Sequence, residues 1–227
     1  MDYKLQGIGI RIKDARPYRP SYLTELLANS MHIKKNSIVA DIGTGCGILA
    51  ILASKLGAKK VYATDIDEDC RKAIEINSKI NNAENIEFLH GNMLKPLKEK
   101  ADVIIASLPQ MPSHRKIDIH RHGSKDGTKF NAQLTRNAAK YLKRDGILFF
   151  SLMSISNPIK ILKLLKNKFH ISIAAAKERE LDRKRFDKLS KGLSDYIFEL
   201  SKKDKSILYY RNGKCYYVGY IIKAELR

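Results

Sequence analysis

Three alternate glycines and a later carboxylate form the pattern in this chain that most strongly predicts chemistry. The apolar run 39–42 leads into the glycine-rich residues 43–47, and a second apolar run ends about twenty residues later at Asp65. Glycines let a backbone approach a ligand closely, and a carboxylate at this spacing accepts hydrogen bonds from ribose hydroxyls. The pattern therefore predicts a loop that binds a nucleoside-containing ligand.

The position after the last glycine argues against a dinucleotide. A dinucleotide-binding loop requires a small residue directly after Gly47, where close packing of helix on strand is needed, and Ile48 stands there. Asp41 at the head of the loop also disfavours a bound pyrophosphate. The remaining alternative is a doubly wound protein in which the glycine turn only connects a strand to a helix.

The order D-x-G-x-G-x-G, followed by an acid after the next strand, resembles the first motif of class I S-adenosylmethionine-dependent methyltransferases. The resemblance implies that the loop holds the methionine half of S-adenosyl-L-methionine and that the acid binds both ribose hydroxyls. The residues to which it assigns contacts with this part of the cofactor are Asp41, Gly43, Thr44, Gly45, Cys46, Gly47, Asp65 and Ile66.

Two further segments match regions of that family which contact the cofactor. Many members carry an acid after a glycine that follows the third strand, and here Asn92 and Met93 follow Gly91. The amide carbonyl of Asn92 can accept from the adenine amino group. The lead-in segment 16–21 closes over the cofactor in related enzymes, with Tyr18 as the candidate lid. The alternatives are a loop asparagine that stabilises its own backbone and a surface turn stiffened by prolines.

The segment after the fourth strand resembles the Asn-Pro-Pro-Tyr motif of amino-directed methyltransferases, which include release-factor glutamine methyltransferases and adenine-N6 and guanine-N2 enzymes. In that group the Asn and a proline carbonyl accept the two hydrogens of a planar amide or amine, on which the aromatic ring stacks. Here Ser107, Leu108, Pro109 and Gln110 stand at the four positions. Three of them, Ser107, Pro109 and Gln110, are candidate catalytic residues, but glutamine or adenine as the acceptor does not follow. The resemblance covers residues 18–155.

Three histidines lie in the loop that should border the acceptor site, namely His114, His120 and His122, with Asp118 close by. The ordinary pKa of histidine suits a general base, and His114 is the fourth candidate catalytic residue. Solvated loop histidines are the alternative interpretation. The His120-x-His122 spacing lacks a third ligand, so we predict no metal site.

Apolar periodicity predicts strands that alternate with helices. We expect an α/β, Rossmann-like class I methyltransferase fold, with a mixed seven-stranded sheet and helices on both faces. A weak alternation over 5–13 predicts a short edge strand, and the charged residues 177–205 predict one or two surface helices. Asn212-Gly213 predicts a closing hairpin. The expected organisation is a single methyltransferase domain over 1–227, divided into an N-terminal lead-in and lid helix (1–36), a cofactor-binding core (37–155) and a C-terminal part with a helical insertion and a closing hairpin (156–227).

The chain has 227 residues and a formal net charge of +19, which is unevenly distributed. Residues 38–113 sum to −1, whereas 114–168 sum to +10 and 169–227 to +6. A basic acceptor face suggests RNA, a ribosomal target or an acidic protein, although a lysine-rich proteome would also raise the charge.

The three cysteines lack paired or metal-like spacing, which favours free thiols. With no visible signal peptide or membrane span, we expect a cytoplasmic protein.

These observations predict an S-adenosylmethionine-dependent methyltransferase that methylates a nitrogen of a macromolecular acceptor, protein or RNA. Two alternatives stay open. The altered acceptor motif favours a small-molecule N- or O-methyltransferase. A non-catalytic cofactor-binding module would also retain the glycine loop and Asp65 while losing that motif.

Overall fold

The structure is a computed structural model that describes residues 1–16 and 18–227; Pro17, part of the predicted lead-in segment, lies outside the described residues. Strands and helices alternate through most of the chain. The strands are β1 (Asp2–Leu5), β2 (Ile8–Arg11), β3 (Ile38–Ile42), β4 (Lys60–Asp65), β5 (Ile86–His90), β6 (Ala101–Ala106), β7 (Leu142–Met153), β8 (Phe169–Glu180), β9 (Tyr209–Arg211) and β10 (Lys214–Leu226). The helices are α1 (Tyr22–Ser30), α2 (Ile48–Lys55), α3 (Cys70–Ile80), α4 (Lys129–Tyr141), α5 (Pro158–Leu165), α6 (Arg183–Leu189) and α7 (Leu193–Ser201).

The main sheet is mixed and has the order β5-β4-β3-β6-β7-β10-β8, with the short β9 paired to β10. Strands β3 to β7 are parallel, and β10 runs antiparallel between β7 and β8. The chain order reverses between β3 and β6. In open α/β sheets a ligand binds outside the carboxyl ends of the strands at such a reversal. This arrangement confirms the predicted Rossmann-like fold with a mixed sheet.

Helices cover both faces of the sheet because the central strands are apolar on both sides. Successive side chains of a strand point to opposite faces. Val39 and Ile105 belong to the apolar layer of α1, α2 and α3, whereas their neighbours Ala40 and Ile104 belong to the layer of α4 and α5. All four side chains are buried, so the strand ends that carry the functional loops are held between two packed layers.

The N-terminal residues differ from the predicted edge strand. Strands β1 and β2 form a separate two-stranded hairpin. Gln6 and Gly7 turn the chain with φ of +49° and +79°, and consecutive positive φ values are typical of a tight hairpin turn. Leu5 and Ile10 are buried against α1 and α2, so the alternation read over 5–13 arises from two short strands.

The charged segment after β8 also differs in part. Residues 177–180 continue β8 instead of beginning a helix, and the surface helices start only at α6. Glu178 and Glu180 form ion pairs with Arg211 and Lys214 of the closing hairpin, with N–O distances of 2.9 and 2.8 Å. Cross-strand charge pairs therefore stabilise strand structure in a segment whose polarity favours a helix from sequence alone.

The closing hairpin forms as predicted. Asn212 and Gly213 have φ of +51° and +71° and connect β9 to β10. β10 then lies in the main sheet between β7 and β8. In the part of the chain that the structure describes, no helix has the length and apolar character needed to cross a membrane.

Candidate active site

A cavity of about 420 Å³ lies at the carboxyl ends of β3, β4 and β6, beside the reversal in strand order. Cavities of roughly 300–1,000 Å³ are typical of sites for small ligands and cofactors. Eleven of the fifteen predicted site residues line it, from five separate segments of the chain. They are Tyr18, Gly43, Thr44, Gly45, Cys46, Asp65, Ile66, Asn92, Met93, Ser107 and Pro109.

The glycine loop is attached to the end of β4 through its backbone. The N–H groups of Gly43 and Thr44 both donate to the carbonyl oxygen of Thr64, at 2.8 and 3.0 Å. Gly43 has φ of +69°, and a Cβ at this position would lie 2.7 Å from Cδ2 of Leu108. Glycine at this position therefore allows both the left-handed conformation and the close approach of Leu108, which belongs to the segment 107–109 after β6 (the acceptor segment).

Asp65 fixes the loop from the other side of the cavity. Its Oδ2 accepts from the N–H of Gly45 at 3.0 Å, and its Oδ1 accepts from the N–H of Asp67 at 3.1 Å. Each carboxylate oxygen has two lone pairs, so both oxygens retain capacity to accept from a ligand hydroxyl. The geometry fits a carboxylate that holds a ribose diol while keeping the loop in place.

Asp41 and Gly47, both predicted to contact the cofactor, do not line the cavity. Asp41 is 1% exposed, and its Oδ2 accepts from Oγ1 of Thr44 at 2.7 Å. Burial raises the pKa of this carboxyl to about 7, although the Thr44 hydroxyl lowers it. Gly47 begins α2 with φ of +81° and approaches Ile74 of α3. Asp41 lies near the end of β3 and Gly47 directly precedes α2, and both are buried under the loop. They therefore support the shape of the loop without reaching the cavity.

The side of the cavity predicted to bind adenine is preorganised by polar contacts. Thr64 Oγ1 donates to the carbonyl oxygen of Met93 at 3.0 Å, and Met93 has φ of +57°. The carbonyl oxygen of the Asn92 side chain accepts from Nε2 of Gln133 at 3.3 Å. Gln133 also lines the cavity, and no sequence motif predicts this because Gln133 lies on α4, outside the segments with recognisable patterns.

Two large apolar side chains on the cavity wall are unusually exposed. Ile66 is 68% exposed and Ile119 is 74% exposed. Exposed apolar surface beside a concave site is typical of surface that a ligand covers. Together with the Asp65 carboxylate and the glycine-loop backbone, these walls fit the ribose, methionine and adenine parts of S-adenosyl-L-methionine.

Ser107 lies at the end of β6, where the acceptor motif was predicted. Its Oγ is 3.2 Å from Oγ1 of Thr24 in α1. Thr24 also forms a capping box with Ser21, because each of the two side chains accepts from the other's backbone N–H. Thr24 was not predicted as a site residue. The Ser21-x-x-Thr24 spacing was the available signal, and it marks the helix start that places Thr24 at the cavity.

The structure does not bring Gln110 and His114 to this cavity. The Gln110 side chain is 3% exposed and bonds to β7: Nε2 donates to the carbonyl and hydroxyl oxygens of Ser151, and Oε1 accepts from the N–H of Met153. His114 is exposed and packs on Tyr196, with 4.7 Å between ring centroids. Gln110 is thus a positioning residue for the acceptor segment, because its buried amide is satisfied within the protein.

A second cavity of about 320 Å³ adjoins the first. The two share the acceptor segment 107–109 and the residues Tyr18, Pro20 and His120. The rings of Tyr18 and His120 stack with 5.7 Å between centroids, so the lead-in segment and the histidine loop meet at the common wall. His120, not His114, is therefore the loop histidine that faces both spaces.

Comparisons with known proteins match this chain to methyltransferases. Residues 24–112 match the family model described as ribosomal protein L11 methyltransferase (PrmA). A ribosomal protein L11 methyltransferase of Caldanaerobacter subterraneus subsp. tengcongensis is 34% identical over 137 residues, which are 60% of this chain and 44% of the relative. The chain thus spans less than half the length of that relative.

A second relative matches over nearly its whole length. The Methanocaldococcus jannaschii protein named "Putative protein N5-glutamine methyltransferase MJ0928" is 32% identical over 181 residues, covering 76% of this chain and 91% of the relative. Among solved structures, ribosomal protein L11 methylase from Lactobacillus delbrueckii subsp. bulgaricus superposes with a TM-score of 0.55. That alignment has 24% identity and covers 88% of this chain and 75% of the other, which shows a common fold.

Proposed function

The chain belongs to the class I S-adenosylmethionine-dependent methyltransferases, and we propose that it transfers the methyl group of S-adenosyl-L-methionine to a nitrogen of a macromolecular acceptor, protein or RNA. One observation carries the proposal. The glycine loop, Asp65 and Ser107 line a single cavity that adjoins a second one at residues 107–109. This arrangement offers one space for the cofactor and a neighbouring space for an acceptor.

Different residues of the first cavity would bind different parts of the cofactor. Asp65 would accept from the ribose hydroxyls, the backbone of the loop 43–46 would hold the methionine half, and Ile66 and Asn92 would contact the adenine. Tyr18 would cover the site from the lead-in segment. The bound cofactor supplies a methyl group on a sulfonium, which is already a good leaving group.

The acceptor residues then have to position a nitrogen and exclude water, since methyl transfer is an in-line displacement. Ser107, held by its contact with Thr24 at 3.2 Å, would hydrogen-bond to the acceptor nitrogen. Pro109 would fix the turn beside it. His120 lines both cavities and would accept the proton that leaves the nitrogen.

The relatives support a macromolecular acceptor. The two compared above are named for methylating ribosomal protein L11 and glutamine in protein. The charges of +10 over 114–168 and +6 over 169–227 also favour a large anionic partner. A small-molecule acceptor is the second candidate, supported by Ser107 and Gln110 in place of the Asn and Tyr of amino-directed enzymes.

Transfer of label from methyl-labelled S-adenosyl-L-methionine into a cell extract tests the proposal. The extract is divided and digested with ribonuclease or with protease after the reaction. We expect label in the macromolecular fraction that one digestion releases, and much less with the Asp65→Asn variant. Label confined to small molecules would support the second candidate, and label in no fraction would contradict both.

A further inference from the structure

Four arginines from four different segments line the second cavity. Arg19 precedes α1, Arg121 lies in the histidine loop, Arg179 lies on β8 and Arg185 on α6. The cavity lining includes no Asp or Glu, and among the described residues none of the four guanidinium groups has a carboxylate oxygen within 4.0 Å of a nitrogen. Asp182, three residues before Arg185, accepts from the backbone N–H of Arg185 and not from its guanidinium. Guanidinium groups gathered without counter-charges create a positive potential that favours an anionic ligand.

The two acids next to Arg179 in the sequence bind other residues. Side chains alternate along β8, so Glu178 and Glu180 point away from the face that carries Arg179. These two carboxylates bind Arg211 and Lys214 on the opposite face. Arg179 is therefore left with its charge directed to the cavity.

Aromatic rings hold two of the guanidinium groups in place. Cζ of Arg121 lies 5.6 Å from the ring centroid of Tyr18, and Cζ of Arg179 lies 4.8 Å from that of Tyr22. A guanidinium that stacks on a ring keeps its edge N–H groups for bidentate bonds to phosphate oxygens. The other face of a guanidinium that lies on a ring can itself carry a stacked nucleobase, as in recognition of single-stranded RNA.

We propose that the second cavity binds a nucleotide of a single-stranded RNA acceptor, with its phosphate on the arginines and its base directed toward Ser107. This proposal rests on the proposed methyl transfer, because the cavity meets the cofactor space at residues 107–109. RNA is favoured over an acidic peptide because a peptide carboxylate would bind the edges of the arginines but leave the planes of the ring-stacked guanidinium groups without a base.

Binding of a fluorescein-labelled single-stranded oligoribonucleotide to the full chain, followed by anisotropy, tests the proposal. The test variant combines Arg179→Gln with Arg185→Gln. The matched control combines Arg136→Gln with Arg144→Gln, which removes the same charge from side chains outside both cavities. We expect the test variant to lose about tenfold or more in affinity and the control less than about twofold.

Salt dependence gives an independent readout. Each neutralised phosphate on a single strand adds about 0.7 to the slope of log affinity against log salt, so loss of the single phosphate contact in the cavity should reduce the slope by about 0.7. Equal losses in both variants would overturn the proposal, because they would show that only total charge matters. A polyglutamate peptide or free nucleoside monophosphates that bind as tightly as the oligoribonucleotide would also overturn it.

Calorimetry with S-adenosyl-L-homocysteine separates this inference from the function on which it rests. Arg179 and Arg185 do not line the first cavity, so the affinity for this compound should be the same in every variant. If the unsubstituted chain fails to bind it, the proposed function fails. If all variants bind it but the oligoribonucleotide is insensitive to the arginines, only the present inference fails.

Discussion

At the scale of single residues, two aspartates with the same side chain have opposite environments. Asp65 lines the cavity and accepts from two backbone N–H groups, whereas Asp41 is buried beneath the loop, and its Oδ1 has no hydrogen-bond partner in the described part of the chain. The position of each aspartate relative to the glycine loop thus decides whether it can contact a ligand. The first carboxylate is available to a ligand, and the second stabilises or destabilises the protein according to its protonation.

Asp65→Asn is predicted to weaken binding of S-adenosyl-L-homocysteine by tenfold or more. The substitution keeps the shape and an acceptor for the N–H of Gly45 but removes the charge that strengthens bonds to the ribose hydroxyls, which is worth about 1.5–3 kcal/mol. Isothermal titration calorimetry measures the change. Asp69→Asn, an exposed position outside the cavity, is the control. A change of less than about twofold for Asp65→Asn would show that the ribose lies elsewhere.

Asp41 predicts a specific dependence of stability on pH. Burial raises its folded-state pKa to about 7 from the ordinary 3.8. Between these pH values the folded protein binds a proton that the unfolded chain releases, so the free energy of unfolding falls as pH rises through this window, by about 4 kcal/mol at most. In Asp41→Asn this contribution should be absent. Urea unfolding at a series of pH values measures it, and identical pH profiles for the two proteins would refute the assignment.

At the scale of elements, the loop after β3 and the segment after β6 meet at Gly43, where an added Cβ would lie 2.7 Å from Cδ2 of Leu108. Gly43→Ala introduces both a strained φ and a contact with Leu108. Gly192→Ala provides a matched control, because Gly192 has φ of +76° with no atom within 4 Å of its added Cβ. We expect both variants to lose about 1–2 kcal/mol of stability from the backbone, as measured by thermal unfolding.

Only Gly43→Ala should also impair ligand binding. Displacement of Leu108 changes the shape of the cavity wall, so affinity for S-adenosyl-L-homocysteine should fall by about tenfold or more beyond any effect of Gly192→Ala. Equal affinities in the two variants would mean that the contact between the loop and residue 108 does not shape the ligand site.

The elements around the site were also the most predictable from sequence. Glycine spacing and an apolar run identify β3, its loop and the end of β4, because few other patterns satisfy the same backbone geometry. Glu178 and Glu180 illustrate the limit. They lie in a charged segment without apolar alternation, and their strand conformation depends on partners more than thirty residues away, on β9 and β10.

Side-chain partners across the fold were less predictable. Gln110 was predicted to be catalytic from the resemblance of residues 107–110 to an acceptor motif, yet its amide binds β7. Thr24 reaches Ser107 across 83 positions of sequence. No local pattern contains such a contact, since it arises only when α1 packs beside the carboxyl ends of the strands. The sequence therefore predicts which segments line the cavity better than which side chains contact one another across the fold.

At the scale of the whole molecule, the nearly neutral and the basic regions of the chain line different cavities. Residues 38–113, which supply most of the cofactor cavity, have a net charge of −1, whereas 114–168 and 169–227 have +10 and +6. The basic regions contribute three of the four arginines of the second cavity. This division is consistent with a nearly neutral cofactor site that faces an anionic acceptor, with the segment 107–109 between them.

A crystal structure of the protein grown with S-adenosyl-L-methionine would show whether the cofactor occupies the first cavity. We predict electron density for the cofactor in the first cavity, with both ribose hydroxyls hydrogen-bonded to Asp65, the amino-acid part on the loop 43–46, and the sulfonium methyl directed toward Ser107. Density in another part of the molecule, or an empty cavity at saturating cofactor, would contradict the account.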